Sequence, residues 1–312
     1  MIAAIGLSSC GGSKSGDDSQ TELSGSITMD GSSTVYPLSE AVAEEFGFKN
    51  PKAKVTIGES GTGGGFKKFG RGEIDICNAS RPIKDSEKAI CDSAGITYLE
   101  LEIAYDGLAV VVNPENTWVD KITTAELKMM WETAAQDKIK NWNQIRSSWP
   151  DVPLHLFGAG TASGTFDYFT EEICGGKGAS RGDYTASEND NQLVTGVAGD
   201  KGGLGYFGMA YYENNKDKLK IVPIDNGNGN AVIPTQETVL NKTYAPLSRP
   251  LYIYINEKAL ARPEVAAFIT FYIENAPALS KDVGYVPCEA SIYTAQQEIL
   301  KAAIEKLAPA AK

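Results

Sequence analysis

GAGTASGT, residues 158–165, is the stretch that decides the fold, because it joins a predicted strand to a predicted helix through glycines and hydroxyl side chains. Residues 154–157 before it are apolar except for His155 and predict a short buried strand, and residues 166–173 predict a helix with one apolar face. Such a turn leaves backbone N–H groups without partners inside the helix, beside the positive end of the helix dipole. The stretch therefore predicts a site for an anion.

Two further turns have the same character, GSST at residues 31–34 and SGTGGG at residues 60–65. The first precedes residues 35–46, whose apolar side chains recur at helical spacing. Pro37 stands just inside that predicted helix, where a missing N–H costs little. The second precedes a short predicted helix at residues 66–69. Three hydroxyl-bearing turns, each before a helix, predict that all three converge on one oxyanion.

The alternation of predicted strands and helices indicates an α/β fold with mainly parallel sheets. A chain of 312 residues is long enough for two domains of ordinary size. Extended apolar runs at residues 98–113 and 251–255 predict two strands that cross between lobes. We expect residues 25–103 and 249–312 to form lobe I, residues 104–248 to form lobe II, and residues 1–24 to form a lipoprotein-type signal remnant and a flexible tether.

The composition excludes some classes of partner. The net charge of −11 makes the chain a poor candidate for binding nucleic acid or an anionic membrane surface. Any anion that it binds must be held by local dipoles and a local cation, against an unfavourable overall field.

The first residues predict a lipid anchor. A short apolar run is followed by two serines, Cys10 and two glycines. This order resembles a bacterial lipoprotein signal, in which the cysteine thiol is acylated after cleavage ahead of it. The alternative is an incidental cysteine in a frayed terminus. No later stretch is apolar for the roughly 20 residues that a transmembrane helix needs.

The remaining cysteines and the single histidine, His155, do not form a metal-binding pattern, and we expect neither metal nor cofactor. Two alternatives stay open for the thiols, a disulfide between the nearest pair or buried free cysteines. The cysteines concerned are Cys77, Cys91, Cys174 and Cys288.

Four segments together resemble the phosphate-binding receptors of bacterial phosphate ABC uptake systems. They are DGSSTVYPLSEAVAEEF at 30–46, GESGTGGGFKKFGRGEIDICNASRPI at 58–83, FGAGTASGTFDYFTEE at 157–172 and GGLGYFGMAYY at 202–212. The resemblance implies a two-lobed periplasmic-binding-protein fold of type II, with a hinge and an interlobe ligand cleft. It also implies a monomer in the periplasm or at the cell surface, which binds inorganic phosphate and delivers it to a membrane permease.

The resemblance also implies which residues bind the anion. The first turn contributes Ser33 and Thr34, the end of the second strand contributes Ser60, and the head of the lobe II helix contributes Ser163, Gly164 and Thr165.

Two departures from the family pattern concern charge. Many relatives carry an arginine at the position of Ala159, and many carry a proton-accepting aspartate at the position of Ser80. We include Ser80 and the adjacent Arg81 in the predicted site, with Arg81 supplying the missing cation. The alternative is that Arg81 pairs with a surface carboxylate such as Asp85.

A carboxylate that accepts a hydrogen bond from a protonated oxyanion distinguishes phosphate from sulfate. Asp30, Glu59 and Asp190 are candidates for this role, and the sequence does not rank them.

Other functions stay open as alternatives. A receptor for sulfate, molybdate or arsenate, or a phosphate sensor without a permease, would use the same turns. A serine hydrolase or phosphatase would need Ser163 as nucleophile and His155 as base, but TASG lacks the G-x-S-x-G pattern.

Overall fold

The computed structural model describes residues 22–307, so Cys10 and most of the predicted tether lie outside the described residues. The strands are β1 (Gly25–Gly31), β2 (Ala53–Gly58), β3 (Ile76–Ala79), β4 (Tyr98–Val112), β5 (Ile122–Thr123), β6 (His155–Ala159), β7 (Thr185–Ser187), β8 (Gly203–Gly208), β9 (Lys220–Ile221), β10 (Ile224–Asp225), β11 (Ala231–Val232) and β12 (Ser248–Asn256). The helices are α1 (Tyr36–Lys49), α2 (Thr62–Gly70), α3 (Asp85–Ser93), α4 (Thr124–Trp131), α5 (Gly164–Phe169), α6 (Asp190–Ala198), α7 (Met209–Glu213), α8 (Gln236–Leu240), α9 (Pro263–Asp282) and α10 (Ala290–Leu307).

One mixed sheet runs through both lobes in the order β2-β1-β3-β12-β4-β8-β6-β7, with β9 also paired to β4. On one flank β1 is parallel to β2 and β3, and on the other β6 is parallel to β7 and β8. In the centre β12 is antiparallel to β3 and β4, and β4 is antiparallel to β8. The prediction of mainly parallel sheets therefore holds for the flanks but is wrong for the centre. The reason is that β4 leaves lobe I and β12 returns to it, so the two run in opposite directions.

The crossing strands β4 and β12 connect the lobes and confirm the predicted two-lobed α/β architecture. Residues 98–107 of β4 pair with β12, and residues 108–112 pair with β8. The change of partner comes slightly after the predicted limit of lobe I at residue 103. The exact lobe boundaries therefore stay predictions.

The helices that follow the three turns differ in detail from the predicted ones. α1 buries Leu38, Val42 and Phe46 along one face, as its spacing predicts. α2 begins at Thr62, so the glycine-rich turn itself forms the first turn of that helix. α5 has six residues and widens into a π-helix at Thr170–Cys174. The Thr170 hydroxyl donates to the Phe166 carbonyl (2.8 Å), a side-chain bond that competes with the regular helical pattern.

An aromatic cluster beneath β6 supports the third turn. The ring of Tyr206 stacks on Phe169 with 3.7 Å between centroids and meets Trp131 edge-on at 4.8 Å. A Cβ built on Gly158 would lie 2.7 Å from the Tyr206 ring and 2.9 Å from the Trp131 ring. Residue 158 is therefore a glycine because the aromatic core packs directly against its backbone.

The four cysteines within residues 22–307 are free and buried. This finding confirms the free-thiol alternative over a disulfide. In the same part of the chain, no helix combines the length and apolar character that crossing a membrane requires.

Candidate functional site

A cleft with a volume of about 530 Å³ lies between the lobes. Its lobe I wall comes from the segments that follow β1, β2 and β3, and its lobe II wall comes from α5 and the residues after it. Because β1, β2 and β3 are parallel neighbours, their carboxyl ends meet at one edge and bring these segments together. The predicted site residues that line this cleft are Ser33, Thr34, Ser60, Ser80 and Arg81.

The third predicted turn lines a second cavity of about 360 Å³, which shares Ser33 with the first. Its lining includes Ser163, Gly164 and Thr165. Gly164 also contacts the first turn, since a Cβ built on it would lie 2.8 Å from the Thr34 Cα. The structure thus brings the first and third turns together, but the predicted residues do not surround one common cavity.

The first turn is anchored to β3 and reaches across the cleft. The Ser32 N–H donates to the Asn78 carbonyl at 2.9 Å, and the Thr34 N–H donates to Ser32 Oγ at 3.2 Å. Ser33 Oγ donates to Asp167 Oδ2 on α5 at 3.4 Å. The hydroxyl-bearing turn of lobe I is therefore already in contact with a lobe II carboxylate.

The hydroxyl of Ser60 is held by Asp30 from the strand beside it. The N–H of Ser60 donates to Asp30 Oδ1 at 3.0 Å, and the hydroxyl donates to the same oxygen. Lys68 donates to Asp30 Oδ2. Burial alone would raise the pKa of Asp30, but the hydrogen bonds from Lys68 and Ser60 bring that pKa below its usual value. Asp30 therefore acts here as the acceptor that orients Ser60, with both of its oxygens engaged.

The turn after β3 places Ser80 and Arg81 differently. Ser80 Oγ lies 3.1 Å from Thr62 Oγ1, which ties the second and third segments of lobe I together. The Arg81 guanidinium donates to both oxygens of Glu87, at 2.7 and 2.8 Å. Burial alone would raise the pKa of Glu87, but the bonds from Arg81 and the Lys84 N–H bring it below its usual value. Arg81 thus pairs with a carboxylate, as the alternative supposed, and the partner is Glu87.

Several N–H groups of the third turn are paired within the protein. The Thr165 N–H donates to Ser163 Oγ at 3.1 Å, so Ser163 caps α5. The Ser163 N–H donates to the Gly160 carbonyl at 3.0 Å. The Ala162 N–H donates to Glu188 Oε1 at 3.1 Å. The carboxylate of Glu188 therefore takes a position beside this turn that an anion would favour.

The candidate proton acceptors have different surroundings. Glu59 is exposed at the edge of the second cavity, whereas Asp190 lies deeper in it. Burial raises the pKa of Asp190 to about 6. Glu172, which lines the first cleft, is a further carboxyl that the sequence interpretation missed. Burial raises the pKa of Glu172, and the charge of Arg249 opposes that rise.

Arg249, at the start of β12, is the main residue that the sequence interpretation missed. Its Nη2 donates to Thr34 Oγ1 at 2.8 Å and lies 3.5 Å from Asp106 Oδ2. Its guanidinium lies 3.5 Å from the centre of the Tyr168 ring. Asp106 is 1% exposed and Arg249 lines the cleft. One signal could have pointed to Asp106, because it is a charged residue within the largely apolar run at residues 98–113, whereas Arg249 lies just before the run at residues 251–255.

The arrangement does not assemble a serine hydrolase triad. His155 begins β6 and contacts Asp200, while Ser163 lies beyond the opposite end of that strand. A five-residue strand spans roughly 16 Å, too far for a direct hydrogen bond. Within residues 22–307, no group of three or more His, Cys, Asp or Glu side chains is placed to hold a metal ion.

Comparisons with known proteins agree with this architecture. A family model described as a PBP superfamily domain matches residues 16–276. Protein SphX of Synechococcus elongatus is 55% identical over 269 residues, covering 86% of this chain and 79% of that protein. The phosphate-binding protein PstS of Staphylococcus aureus is 40% identical over 307 residues, covering 97% of this chain and 90% of that protein.

A solved structure shows the same fold. It is described as a possible phosphate binding protein from Planctomyces limnophilus, is 51% identical and superposes with a TM-score of 0.85. The alignment covers 90% of this chain and 99% of that one. The predicted type II periplasmic-binding fold is thus confirmed. This chain belongs to the PBP superfamily and, within it, to the family that contains SphX and PstS.

Proposed function

We propose that this protein binds inorganic phosphate between its lobes and delivers it to the membrane permease of an ABC transporter. The observation that carries the proposal is the convergence of the hydroxyl-bearing turns of both lobes, with Thr34 against Gly164. The phosphate-binding name of the PstS relative and the description of the Planctomyces structure support the same ligand.

The proposed phosphate contacts are those predicted from the sequence. Because they line two adjoining cavities, we infer that the anion enters where the first and third turns meet and replaces some of the contacts between the lobes. Hydrogen bonds from hydroxyl and N–H groups to a charged oxyanion are stronger than those between neutral groups. The residues concerned are Ser33, Thr34, Ser60, Ser80, Arg81, Ser163, Gly164 and Thr165.

Calorimetric titration with phosphate, sulfate, arsenate and molybdate at one ionic strength tests the ligand. We expect phosphate to bind much more tightly than sulfate, because a half-buried carboxylate such as that of Asp190 accepts a bond only from an oxyanion that carries a proton. Equal affinity for sulfate would contradict the phosphate assignment and favour a general oxyanion receptor.

We propose binding without catalysis. Ser163 caps α5 through its hydroxyl, and His155 lies at the far end of β6. A chromogenic phosphate ester should therefore not be hydrolysed. Turnover that disappears in Ser163→Ala would overturn this part of the proposal.

We also propose that the protein acts as a monomer, outside the cytoplasmic membrane and anchored to it through Cys10. In fractionated cells the wild type should sediment with membranes, and Cys10→Ser should be released as a monomer. Loss of the gene should lower the uptake of labelled phosphate at low phosphate concentration.

A further inference from the structure

Arg249 joins the two lobes and the crossing strands through one guanidinium. It donates to Thr34 in the first turn of lobe I and lies over the ring of Tyr168 on α5 of lobe II. Its ion-pair partner Asp106 lies on β4, which pairs with β12 in antiparallel register so that residues 249 and 106 are opposite. The guanidinium therefore sits at the hinge, where the first turn, the second lobe and both crossing strands meet.

The positive charges of the other cations that line the cleft are neutralised more fully by carboxylates or are more exposed to water. Arg81 is bound by both oxygens of Glu87 at 2.7 and 2.8 Å. Lys177 lies 2.7 Å from Asp167, and Lys84 is exposed to solvent. A cation that is already paired or well hydrated gains less from a new anion.

The positive charge of Arg249 is neutralised less fully by its carboxylate partner, Asp106. Its distance to Asp106 Oδ2 is 3.5 Å, beyond the usual length of a charge-assisted hydrogen bond. Among residues 22–307, Arg249 Nε and Asp106 Oδ2 are both buried without a hydrogen-bond partner. Burial raises the pKa of Asp106, and the charge of the nearby guanidinium opposes that rise.

Thr34 is arranged to work together with this cation. Because Arg249 donates to Thr34 Oγ1, the hydroxyl oxygen acts as an acceptor and its own hydrogen remains available. A phosphate oxygen beside Thr34 would receive that hydrogen and would lie close to the guanidinium. Tyr168 holds the guanidinium plane by a cation–π contact.

We propose that Arg249, positioned by Asp106 and Tyr168, is the principal cation for the bound phosphate, in place of an arginine at position 159 and ahead of Arg81. This proposal rests on the proposed phosphate-binding function. It assigns the charge that neutralises the ligand to the hinge, whereas the sequence interpretation placed it in a turn of lobe I.

Phosphate titration of matched variants tests the proposal. We expect Arg249→Met to weaken phosphate binding by at least about 10-fold, and Arg249→Lys, which keeps the charge, to recover part of that loss. Arg81→Met, of equal size and charge change, should weaken binding by a smaller factor than Arg249→Met does, because Glu87 already compensates that guanidinium. Thermal unfolding and circular dichroism of each variant establish that it is folded.

A second measurement uses the wild-type protein and does not depend on the stability of Arg249→Met. With ¹⁵N-labelled arginine, the Nε–H resonance that is missing in Arg249→Lys identifies Arg249. That resonance should shift on addition of phosphate, and by more than the Arg81 resonance does.

The outcomes separate the two proposals. Wild-type protein that fails to bind phosphate would refute the proposed function itself. If the wild-type protein binds phosphate, three results would refute only the role of Arg249. They are an unchanged phosphate affinity in Arg249→Met, an equal or larger loss of affinity in Arg81→Met, and an Arg249 resonance that does not shift on addition of phosphate.

Discussion

Replacing Gly164 by alanine would put a methyl group against the backbone of the facing lobe. A Cβ at this position would lie 2.8 Å from the Thr34 Cα, 2.9 Å from its nitrogen and 3.0 Å from its Oγ1. Two of these atoms belong to the main chain, so a change of rotamer cannot relieve the contact. The lobes must separate at this point, which weakens the bond between Ser33 and Asp167 and displaces the hydroxyl that Arg249 orients.

The magnitude follows from the cost of overpacking. Adding a methyl group to a closely packed site costs about 1–3 kcal/mol, which corresponds to a loss of phosphate affinity of about 5- to 150-fold. The unliganded protein can relieve part of the strain by opening at the hinge. Its unfolding temperature should therefore change less than its affinity does. Calorimetric titration gives the affinity, and small-angle scattering with and without phosphate gives the degree of closure.

Gly47→Ala provides the matched control. Gly47 lies within α1 at negative φ, and a Cβ there would meet no atom of the described residues 22–307 within 4 Å. Alanine is favoured over glycine inside a helix by roughly 0.5–1 kcal/mol, so this variant should gain stability without losing affinity. If Gly164→Ala bound phosphate as tightly as Gly47→Ala does, the contact between the first and third turns would have no part in ligand binding.

Three further perturbations test the charges and thiols. Asp30→Asn should lower the unfolding free energy by about 1 kcal/mol near neutral pH and weaken phosphate binding, because Ser60 and Lys68 lose their common acceptor. The folded pKa of Asp30 is lowered, so the stability difference between this variant and wild type should shrink as the pH falls through the acidic range. Urea titrations over that range measure the difference. Asp190→Asn should raise the unfolding free energy by about 1–3 kcal/mol at pH 7.5. The folded pKa of about 6 exceeds the unfolded pKa of Asp190, so the wild type loses stability as the pH rises through the folded pKa, and the variant does not. No gain at pH 7.5, or an equal gain at pH 4, would contradict the raised pKa of Asp190. In a Cys10→Ser variant, a thiol reagent should modify none of the four buried cysteines in the native state and all four in denaturant, whereas a count of two in denaturant would indicate a disulfide.

The elements around the site were largely predictable, because their signals are local. The apolar spacing of α1 and the hydroxyl-rich turns at the starts of α2 and α5 are properties of a few consecutive residues. The two long extended runs likewise predicted β4 and β12, and hence two lobes. The antiparallel centre of the sheet was not predicted, since the direction of a returning strand depends on the path of the whole chain.

The charge arrangement was much less predictable. Arg81 follows a turn that resembles the family pattern, but Glu87, one helical turn into α3, already pairs with it. Asp106 lies within one predicted apolar run and Arg249 just ahead of the other, and only the register of β12 on β4 places them opposite each other. Thr34 completes this group from 215 residues away in the chain.

GAGTASGT at residues 158–165 illustrates the division between the two kinds of information. By itself the sequence predicted that a strand ends there, that a helix follows and that the turn suits an anion, because backbone N–H groups at the start of a helix act over a few residues. The tertiary structure alone decided that Gly164 meets Thr34, that Glu188 accepts from the Ala162 N–H and that Arg249 lies at the hinge beside Asp106 and Thr34. Those outcomes depend on burial and on distances between residues far apart in the chain, which set how strongly each charge is compensated.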